Sequence, residues 1–470
     1  MTEVTNHQYP VGCEQRPLRT AIVGSGPSGF YAAEALLQQE DVAVDVDIFD
    51  RLPTPYGLVR FGVAPDHQKI KNVIRVYERT AAHPRFRFFG NVQFGRDLQA
   101  EDLTGHYDQV VFAVGNETDR RLNIPGEAFD GSYTATAFVA WYNGHPDYVD
   151  AHFNLDHQRV VVVGIGNVAM DVARVLAKST DELAKTDISD YALESLRKSR
   201  VKEIVILGRR GAAQAAFTPK EIKEIGALDG VDLVVDPADV ALDEDSKKLL
   251  DDSKQARQNV TYLTEKSGEG LGTNPKKVFL RLLRSPVEIT GENGKVTGVK
   301  IEKNVLYKDD KGSLRPRGTD EYETLSCGAI FRSVGYHGVP LPGVPFHEKW
   351  GIIPNERGRV IDPKTRKFVP GQYVVGWMKR GPSGLVGDNK PDSSETVRCM
   401  MEDIDGKVAP VSENMQPQAV ERLLSSRNIV YLTFADWKKL DSLETENGKK
   451  AGKVRDKFVN LSDMLNAVGK

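Results

Sequence analysis

The sequence is poor in cysteine and has no apolar run long enough to cross a membrane. Its three cysteines, Cys13, Cys327 and Cys399, lie far apart in 470 residues and form no Cys-x-x-Cys pair. This spacing excludes a redox-active cysteine pair and a cysteine-ligated zinc or iron–sulfur site. It also fits a reducing compartment. Because the longest apolar runs have the length of a strand, we expect no membrane span, and no residue pattern indicates a metal site.

An excess of either charge is also missing. Lysine and arginine number 63 against 66 aspartates and glutamates, which gives a net charge of −3. No overall field therefore favours nucleic acid, and a charged partner has to be met by a local patch. The first 16 residues contain neither the apolar core of a signal peptide nor much basic charge. We expect residues 1–16 to be a flexible tail and the protein to be cytoplasmic.

Two glycine motifs, about 140 residues apart, each follow an apolar run of strand length. The first is Gly24-Ser-Gly26-Pro-Ser-Gly29, and the second is Gly164-Ile-Gly166-Asn-Val-Ala169. In such motifs the glycines permit a tight turn and a close approach to a pyrophosphate, which the N–H groups of the next helix bind. The two motifs predict two dinucleotide sites, between which electrons pass.

The residues after the next apolar run distinguish the two sites. Asp50 stands about 21 residues beyond Gly29, where a carboxylate accepts hydrogen bonds from a ribose 2′-hydroxyl. The second site has Arg209 and Arg210 instead of an acid. Guanidinium groups suit a 2′-phosphate, although a solvated basic turn is the alternative. The pattern predicts FAD at the first site and NADP(H) at the second.

The alternation of apolar strands and amphipathic helices predicts an α/β fold with two Rossmann-like domains. Strands ending near Gly115 and Gly335 mark where the chain leaves and re-enters the first domain. We predict an FAD-binding domain of residues 17–115 and 341–470, and an NADP-binding domain of residues 116–340. Residues 66–80 have the spacing of a helix with one apolar face, whereas residues 229–272 indicate a surface helix and loop.

Four segments resemble the adrenodoxin-reductase-type ferredoxin–NADP reductases. They are Pro55-Tyr-Gly-Leu-Val-Arg-Phe-Gly-Val-Ala-Pro-Asp-His67, Gly164 to Ala173, Gly208-Arg-Arg-Gly211 and Gly376-Trp-Met-Lys-Arg-Gly-Pro-Ser-Gly384. The resemblance extends over nearly the whole chain. It implies a glutathione-reductase-like layout, with the NADP domain inserted in the FAD domain. It also implies that NADPH reduces FAD by hydride transfer and that the flavin passes single electrons to a ferredoxin.

The resemblance also implies a set of site residues. The expected FAD contacts are Gly24, Gly26, Ser28, Gly29, Asp50, Leu58, Phe94, Trp377, Gly384, Leu385 and Val386. The expected NADP contacts are Ile165, Gly166, Asn167, Val168, Arg209, Arg210, Glu221 and, near the nicotinamide, Gly384. His67 and Glu224 match a catalytic His–Glu pair, which we interpret as positioning and proton-managing. For His67 the alternative is a plain first-turn residue of a helix capped by Asp66.

The expected partner is an acidic ferredoxin, which would dock on a basic face of a monomeric protein. Candidate docking charges are Lys69, Lys71, Arg75, Lys379 and Arg380, with an ordinary solvated helix face as the alternative. Other functions stay open. They are an NADPH-dependent flavin monooxygenase or quinone reductase, and a redox subunit of a larger complex. A nucleotide-sensing or RNA-binding role conflicts with the absence of basic excess.

Overall fold

The computed structural model describes residues 8–410 and 413–470. The strands are β1 Gln8–Pro10, β2 Leu18–Val23, β3 Val44–Asp50, β4 Phe86–Gly90, β5 Gln109–Phe112, β6 Thr118–Asp119, β7 Ser132–Thr134, β8 Arg159–Val163, β9 Glu203–Leu207, β10 Val231–Val235, β11 Lys276–Arg281, β12 Arg284–Glu292, β13 Lys295–Lys308, β14 Leu314–Ser326, β15 Ala329–Arg332, β16 Tyr336–His337, β17 Asn355–Glu356, β18 Arg359–Ile361, β19 Phe368–Val374 and β20 Val408–Pro410. The helices are α1 Pro27–Leu37, α2 Leu58–Phe61, α3 Gln68–Lys71, α4 Ile74–Ala81, α5 Ala100–His106, α6 Ala135–Tyr142, α7 Asn167–Ala177, α8 Thr180–Leu183, α9 Asp190–Arg197, α10 Pro219–Gly226, α11 Glu244–Asp252, α12 Lys254–Ser267, α13 Trp377–Arg380, α14 Asn389–Glu402, α15 Gln418–Ser426, α16 Phe434–Lys450 and α17 Leu461–Ala467. Short 3₁₀ turns occupy Pro146–Tyr148, Ala212–Gln214, Pro237–Val240, Val386–Asp388 and Glu413–Met415.

The first sheet combines strands from both ends of the chain. Its order is β17-β18-β19-β5-β2-β3-β4, and the strands from β19 to β4 run parallel. One face carries a cluster that includes residues of α1, α14 and α16, and the other carries residues of α5 and α15. Because parallel strands share one carboxyl edge, the loops after β2, β3, β5 and β19 gather there.

The second sheet is parallel and lies between the two parts of the first in sequence. Its order is β10-β11-β9-β8-β15-β7. Helices such as α7 and α10 cover one face, and the antiparallel sheet β12-β13-β14 covers the other. Two largely parallel sheets in one chain, each followed by helices, confirm the predicted α/β class with two dinucleotide-binding folds. The proposed domain limits at residues 115 and 340 stay a prediction.

Three sequence-based expectations are wrong in detail. For residues 8–16 a flexible tail is wrong, because β1 pairs with β20 and Arg16 is buried in an ion pair with Asp108 at 2.7 Å. Residues 1–7 lie outside the described residues. The stretch 229–272 also contains the strand β10, a run of only five residues that lies within an acidic, polar segment. The helix expected over residues 66–80 is divided, because tight i→i−3 hydrogen bonds around Asn72 separate α3 from α4.

The C-terminal helices pack against the first sheet. The Trp437 ring is buried and lies 5.7 Å from that of Tyr56, and Arg60 is bound by the fully buried carboxylate of Glu444. Arg60 belongs to the segment 55–67, whose Gly57 abuts the first glycine motif. The C-terminal helix α16 therefore stabilises this segment through Glu444. Within the described ranges, no helix has both the length and the apolar character needed to span a bilayer.

Candidate functional site

The first glycine motif forms an open cradle at the carboxyl end of β2. Gly24 has a φ of +109°, and a Cβ on it would lie 2.5 Å from the Ala113 carbonyl oxygen. A Cβ on Gly29 would lie 2.1 Å from the Gly24 oxygen, so α1 begins tightly against the turn. A Cβ on Gly26, in contrast, would have nothing within 4 Å. The tight positions require glycine, and the open one leaves room for a pyrophosphate at the start of α1.

Asp50 ends β3 beside this cradle. One of its oxygens accepts hydrogen bonds from the Ser25 N–H at 2.9 Å and the Ser25 hydroxyl at 2.5 Å, and the other accepts from the Leu52 N–H at 2.9 Å. A carboxylate offers about four acceptor positions, so Asp50 can accept one more bond. The arrangement holds the carboxylate where a ribose hydroxyl can donate to it.

Two further segments reach the first cradle. A Cβ on Gly57 would lie 3.0 Å from the Gly26 Cα, so α2, which begins with the half-exposed Leu58, abuts the cradle. A Cβ on Gly376 would lie 2.6 Å from the Ser28 hydroxyl. The structure therefore brings Leu58 and the Gly376 turn together at the first glycine motif, although they are about 320 residues apart.

The Gly376 turn continues into the glycine-rich loop that was expected at the flavin. The Trp377 indole N–H donates to the Ser383 carbonyl at 3.1 Å, and its ring centroid lies 5.1 Å from that of Tyr336. Gly384 and Leu385 are exposed and Val386 is partly buried. Phe94 differs from these residues, because its ring packs 5.7 Å from that of Phe112 in the hydrophobic core. Phe94 is only partly buried, so its contact with FAD stays a prediction.

The second glycine motif repeats the cradle at the end of β8. Gly164 has a φ of +134°, and a Cβ on it would lie 2.1 Å from the Ser333 carbonyl oxygen. A Cβ on Gly166 would have nothing within 4 Å, and the fully buried Ala169 stands at the third motif position. The backbone of Gly166 at the start of α7 is therefore open in the same way as that of Gly26.

The loop before α10 is hydrogen-bonded to the second cradle. The Ile165 carbonyl accepts from the N–H groups of Ala216 and Phe217 at 3.0 Å, and the Asn167 side-chain oxygen accepts from the Thr218 N–H at 2.9 Å. Val168, the next residue, is partly buried. These bonds fix where α10 begins, and with it the positions of Glu221 and Glu224.

Arg209 and Arg210 follow β9, at the same edge of the second sheet. Their carbonyls accept hydrogen bonds from the Asn304 amide at 2.9 Å and the Leu283 N–H at 3.2 Å, which fix the loop. Burial lowers the pKa of Arg210, and so do the charges of Arg209 and Arg315. Arg209 and Arg210 are adjacent and have no carboxylate partner among the ion pairs of the described residues, which suits a phosphate dianion, whereas Arg315 pairs with Asp309 at 2.9 Å. Arg315 lies on β14, far along the chain, and no motif pointed to it.

His67 and Glu224 meet between the two sheets. The His67 Nε2 lies 2.7 Å from the Glu224 carboxylate, and Arg174 donates to the His67 Nδ1 at 3.4 Å. Because a guanidinium only donates, Nδ1 accepts and the proton lies on Nε2, which donates to Glu224. Burial opposes ionisation of Glu224, but the bond from His67 and neighbouring positive charges lower its pKa. The pair therefore has one defined tautomer and a carboxylate acceptor.

Arg174, which sequence reasoning missed, is the centre of this cluster. It is 1% exposed and donates to Asp66 at 2.9 and 3.0 Å, to Asp171 at 2.6 Å and to Glu221 at 3.0 Å. Asp66 is thus an ion-pair partner and not a helix cap. Burial raises the pKa of Asp171 to about 6, and it raises that of Glu221 as well. The one signal in the sequence is an arginine within the apolar run Val172 to Leu176.

The same cluster brings together groups of the kind that bind metals. Ligand atoms of His67, Asp171 and Glu221 lie within 4.8 Å of one another. Arg174, however, bonds to both carboxylates and already supplies the positive charge that a cation would bring. Glu221, expected at the nucleotide, is likewise bound to Arg174. The Glu221 carboxylate has further acceptor positions, to which a hydroxyl or amide group of a nucleotide could donate.

Two of the five candidate docking charges are not on the surface. Lys71 is buried and donates to Asp187 at 2.7 and 2.8 Å. Lys379 is also buried, and it pairs with Glu395 at 2.8 Å and Asp392 at 3.2 Å. Their inclusion in a docking face is wrong, because their charges are neutralised inside the protein. Lys69 and Arg75 are exposed.

Comparison with known proteins gives matches over nearly the full length. The family model described as pyridine nucleotide-disulphide oxidoreductase matches residues 18–225. The chain is 43% identical over 460 residues to the NADPH-ferredoxin reductase FprA of Mycobacterium tuberculosis, covering 96% of this chain and 99% of that protein. It is 39% identical over 475 residues to the mitochondrial NADPH:adrenodoxin oxidoreductase of Arabidopsis thaliana, covering 98% of this chain and 97% of that protein.

A solved structure shows the same architecture. Mycobacterium tuberculosis FprA in complex with NADPH superimposes with a TM-score of 0.91 at 42% identity, and the match covers 96% of this chain and 100% of that one. The identity and coverage confirm the resemblance seen in the four sequence segments. The chain belongs to the adrenodoxin-reductase-type ferredoxin–NADP reductases.

Proposed function

We propose that this protein is an FAD-containing enzyme that passes electrons from NADPH to a ferredoxin. The observation that carries the proposal is the pair of open glycine cradles on two parallel sheets, one beside Asp50 and the other beside Arg209 and Arg210. A partly buried contact between His67 and Glu224 connects the two halves of the chain. Close relatives are named as reductases of this kind.

FAD fits the first cradle. Gly24, Gly26, Ser28 and Gly29 offer the open start of α1 to the pyrophosphate, and Asp50 offers its remaining acceptor position to the ribose. Around the isoalloxazine we place Trp377, Gly384, Leu385 and Val386, and Leu58 and Phe94 line the FAD site. Bound FAD accepts two electrons and releases them singly, which no side chain can do.

NADP(H) fits the second cradle. Ile165, Gly166, Asn167 and Val168 surround the open start of α7, and Arg209 and Arg210 bind the 2′-phosphate. Glu221 and Gly384 would lie towards the nicotinamide half. The described thiols are free, and burial raises the pKa of Cys327 to about 12, so that thiol is no nucleophile at neutral pH.

His67 and Glu224 have a positioning role in this proposal. His67 comes from the FAD-binding part and Glu224 from the NADP-binding part, so their contact sets the approach of the two halves. Glu224 holds the Nε2 proton in place, and Arg174 orients the other side of the ring. The pair therefore fixes the orientation of the imidazole beside the site.

For the partner we propose an acidic ferredoxin. Lys69 and Arg75 are exposed on α3 and α4, close in sequence to His67, and Arg380 is 22% exposed beside the Gly384 loop. These charges replace the five-residue patch, because Lys71 and Lys379 are buried. We also propose that the protein is monomeric and acts in the cytoplasm.

Anaerobic titration of the purified protein tests the proposal. NADPH should bleach the visible flavin absorbance at much lower concentration than NADH, and the reduced protein should then reduce an added ferredoxin. A protein that neither binds FAD nor can be reconstituted with it would refute the electron-transfer function. A flavin bleached equally by both nucleotides would refute the assignment of Arg209 and Arg210 alone.

A further inference from the structure

Asn116 is a buried residue whose side chain has no hydrogen-bond partner. It is 4% exposed, and neither its Nδ2 nor its Oδ1 is bonded to any group within residues 8–410 and 413–470. In that part of the chain it is the single carboxamide with both atoms buried and unpaired. Native proteins pair nearly all buried polar groups, because an unpaired one costs free energy. A carboxamide placed in this way indicates a ligand.

The position of Asn116 identifies which ligand. It follows β5, which lies between β2 and β19 in the first sheet. At the carboxyl ends of successive strands β3, β2, β5 and β19 lie Asp50, the Gly24 turn, the loop that contains Asn116 four residues after β5, and the Gly376–Trp377 turn, in that order. Neighbouring strands are about 4.8 Å apart, so these groups form a row along one edge of the sheet.

An extended FAD molecule matches this row, provided that the proposed function holds. With the adenosine ribose at Asp50, the pyrophosphate at Gly24 and the isoalloxazine near Trp377, the ribityl chain crosses the end of β5. Next to Asn116, Gly115 has a φ of +75°, and a Cβ on it would have nothing within 4 Å. The backbone thus leaves open space beside the buried carboxamide.

We propose that Asn116 binds the ribityl chain of FAD through both atoms of its carboxamide. A hydroxyl both donates and accepts, so the ribityl hydroxyls can accept from Nδ2 and donate to Oδ1. The pyrophosphate only accepts, and it would leave Oδ1 unpaired. Asn116 is therefore a cofactor-binding residue on the flavin side of the pyrophosphate.

Binding of FAD and of ADP to the apoprotein tests this assignment. ADP carries the adenosine and the pyrophosphate but no ribityl chain. In Asn116→Leu and Asn116→Ala we expect the Kd for FAD to rise about tenfold, which corresponds to two hydrogen bonds, with the Kd for ADP unchanged. Since the apoprotein loses no hydrogen bond, its thermal midpoint should not fall. Agreement between the Leu and Ala variants would exclude a steric block by leucine.

Gln109→Leu is the matched control on the same strand. Gln109 is a buried carboxamide at the other end of β5, and its Nε2 donates to the Met400 carbonyl at 2.8 Å. This variant should lower the apoprotein's thermal midpoint and leave the Kd for FAD unchanged. If the Asn116 variants bind FAD as tightly as the wild type, or lose FAD and ADP equally, the ribityl assignment is wrong. A wild-type protein that binds no FAD would instead refute the proposed function.

Discussion

Removal of the two arginines after β9 should abolish the preference for NADPH over NADH. We consider Arg210→Ala and the double variant Arg209→Ala/Arg210→Ala. Arg210 is half-buried, and burial together with the charges of Arg209 and Arg315 lowers its pKa. A bound 2′-phosphate relieves this repulsion, and NADH, which has no such phosphate, cannot. The variants should therefore have a lower kcat/KM for NADPH and an unchanged kcat/KM for NADH.

The structure gives the two arginines different weights. A hydrogen bond to a charged group contributes about 1.5–3 kcal/mol, so about 2 kcal/mol is reasonable for the half-buried Arg210. Arg209 is exposed, and an exposed charge pair contributes about 1 kcal/mol or less. Since about 1.4 kcal/mol is a factor of ten, Arg210→Ala should lower kcat/KM for NADPH about 30-fold, and the double variant about 150-fold.

The assay compares kcat/KM for NADPH and NADH at constant ionic strength, with ferricyanide as electron acceptor. Arg317→Ala is the control, because Arg317 lies on β14 over the Tyr307 ring at 4.1 Å and its loss removes a nearby positive charge. The control should change the NADPH-to-NADH ratio by less than about twofold. An unchanged ratio in the double variant, or an equal fall for both nucleotides, would refute the reasoning.

Three further predictions concern the buried charges. Glu224→Gln keeps a hydrogen bond to His67 but removes the carboxylate. Because the pKa of Glu224 is lowered, the wild-type contact weakens only at acid pH, where the flavin-reduction rate should decline. That acid decline should vanish in stopped-flow pH profiles of the variant, and a profile identical to that of the wild type would contradict this. Arg174→Met removes the guanidinium that Asp66, Asp171 and Glu221 share, and only Asp66 keeps a lysine partner, Lys178 at 3.4 Å. The free energy of unfolding should fall by about 3–5 kcal/mol in urea titrations, and a loss below about 1 kcal/mol would contradict the central role of Arg174. Lys457 is buried beside Asp187, and burial lowers its pKa to about 7. Because an unfolded lysine titrates near about 10.4, the unfolded state binds more protons between these values and stability rises with pH there. Lys457→Met should reduce that rise in thermal unfolding between pH 7 and pH 10, with Lys71, whose pKa burial also lowers, keeping the remainder, and an equal slope in the variant would contradict it.

The parts that could be predicted from the sequence depend on short-range chemistry. Gly24 and Gly164 require positive φ at a fixed place after a strand, so a local pattern identifies them. Asp50 and Arg209 follow the next strand, and parallel pairing brings them to the same edge without further information. For these residues local spacing predicts spatial position, because the βαβ unit has one common geometry.

The parts that could not be predicted depend on partners far apart in the chain. Arg174 contacts Asp66 across 108 residues, and Lys71 contacts Asp187 across 116. A lysine on a helix has the same local pattern whether it faces solvent or a buried aspartate, which is why Lys71 was assigned to the docking face. Asn116 could not be predicted either, because its carboxamide is notable for lacking a partner in the folded protein, which the sequence spacing does not indicate. The roles of these charged and amide groups therefore depend on contacts between residues distant in sequence, whereas the role of the glycine motifs depends on local spacing.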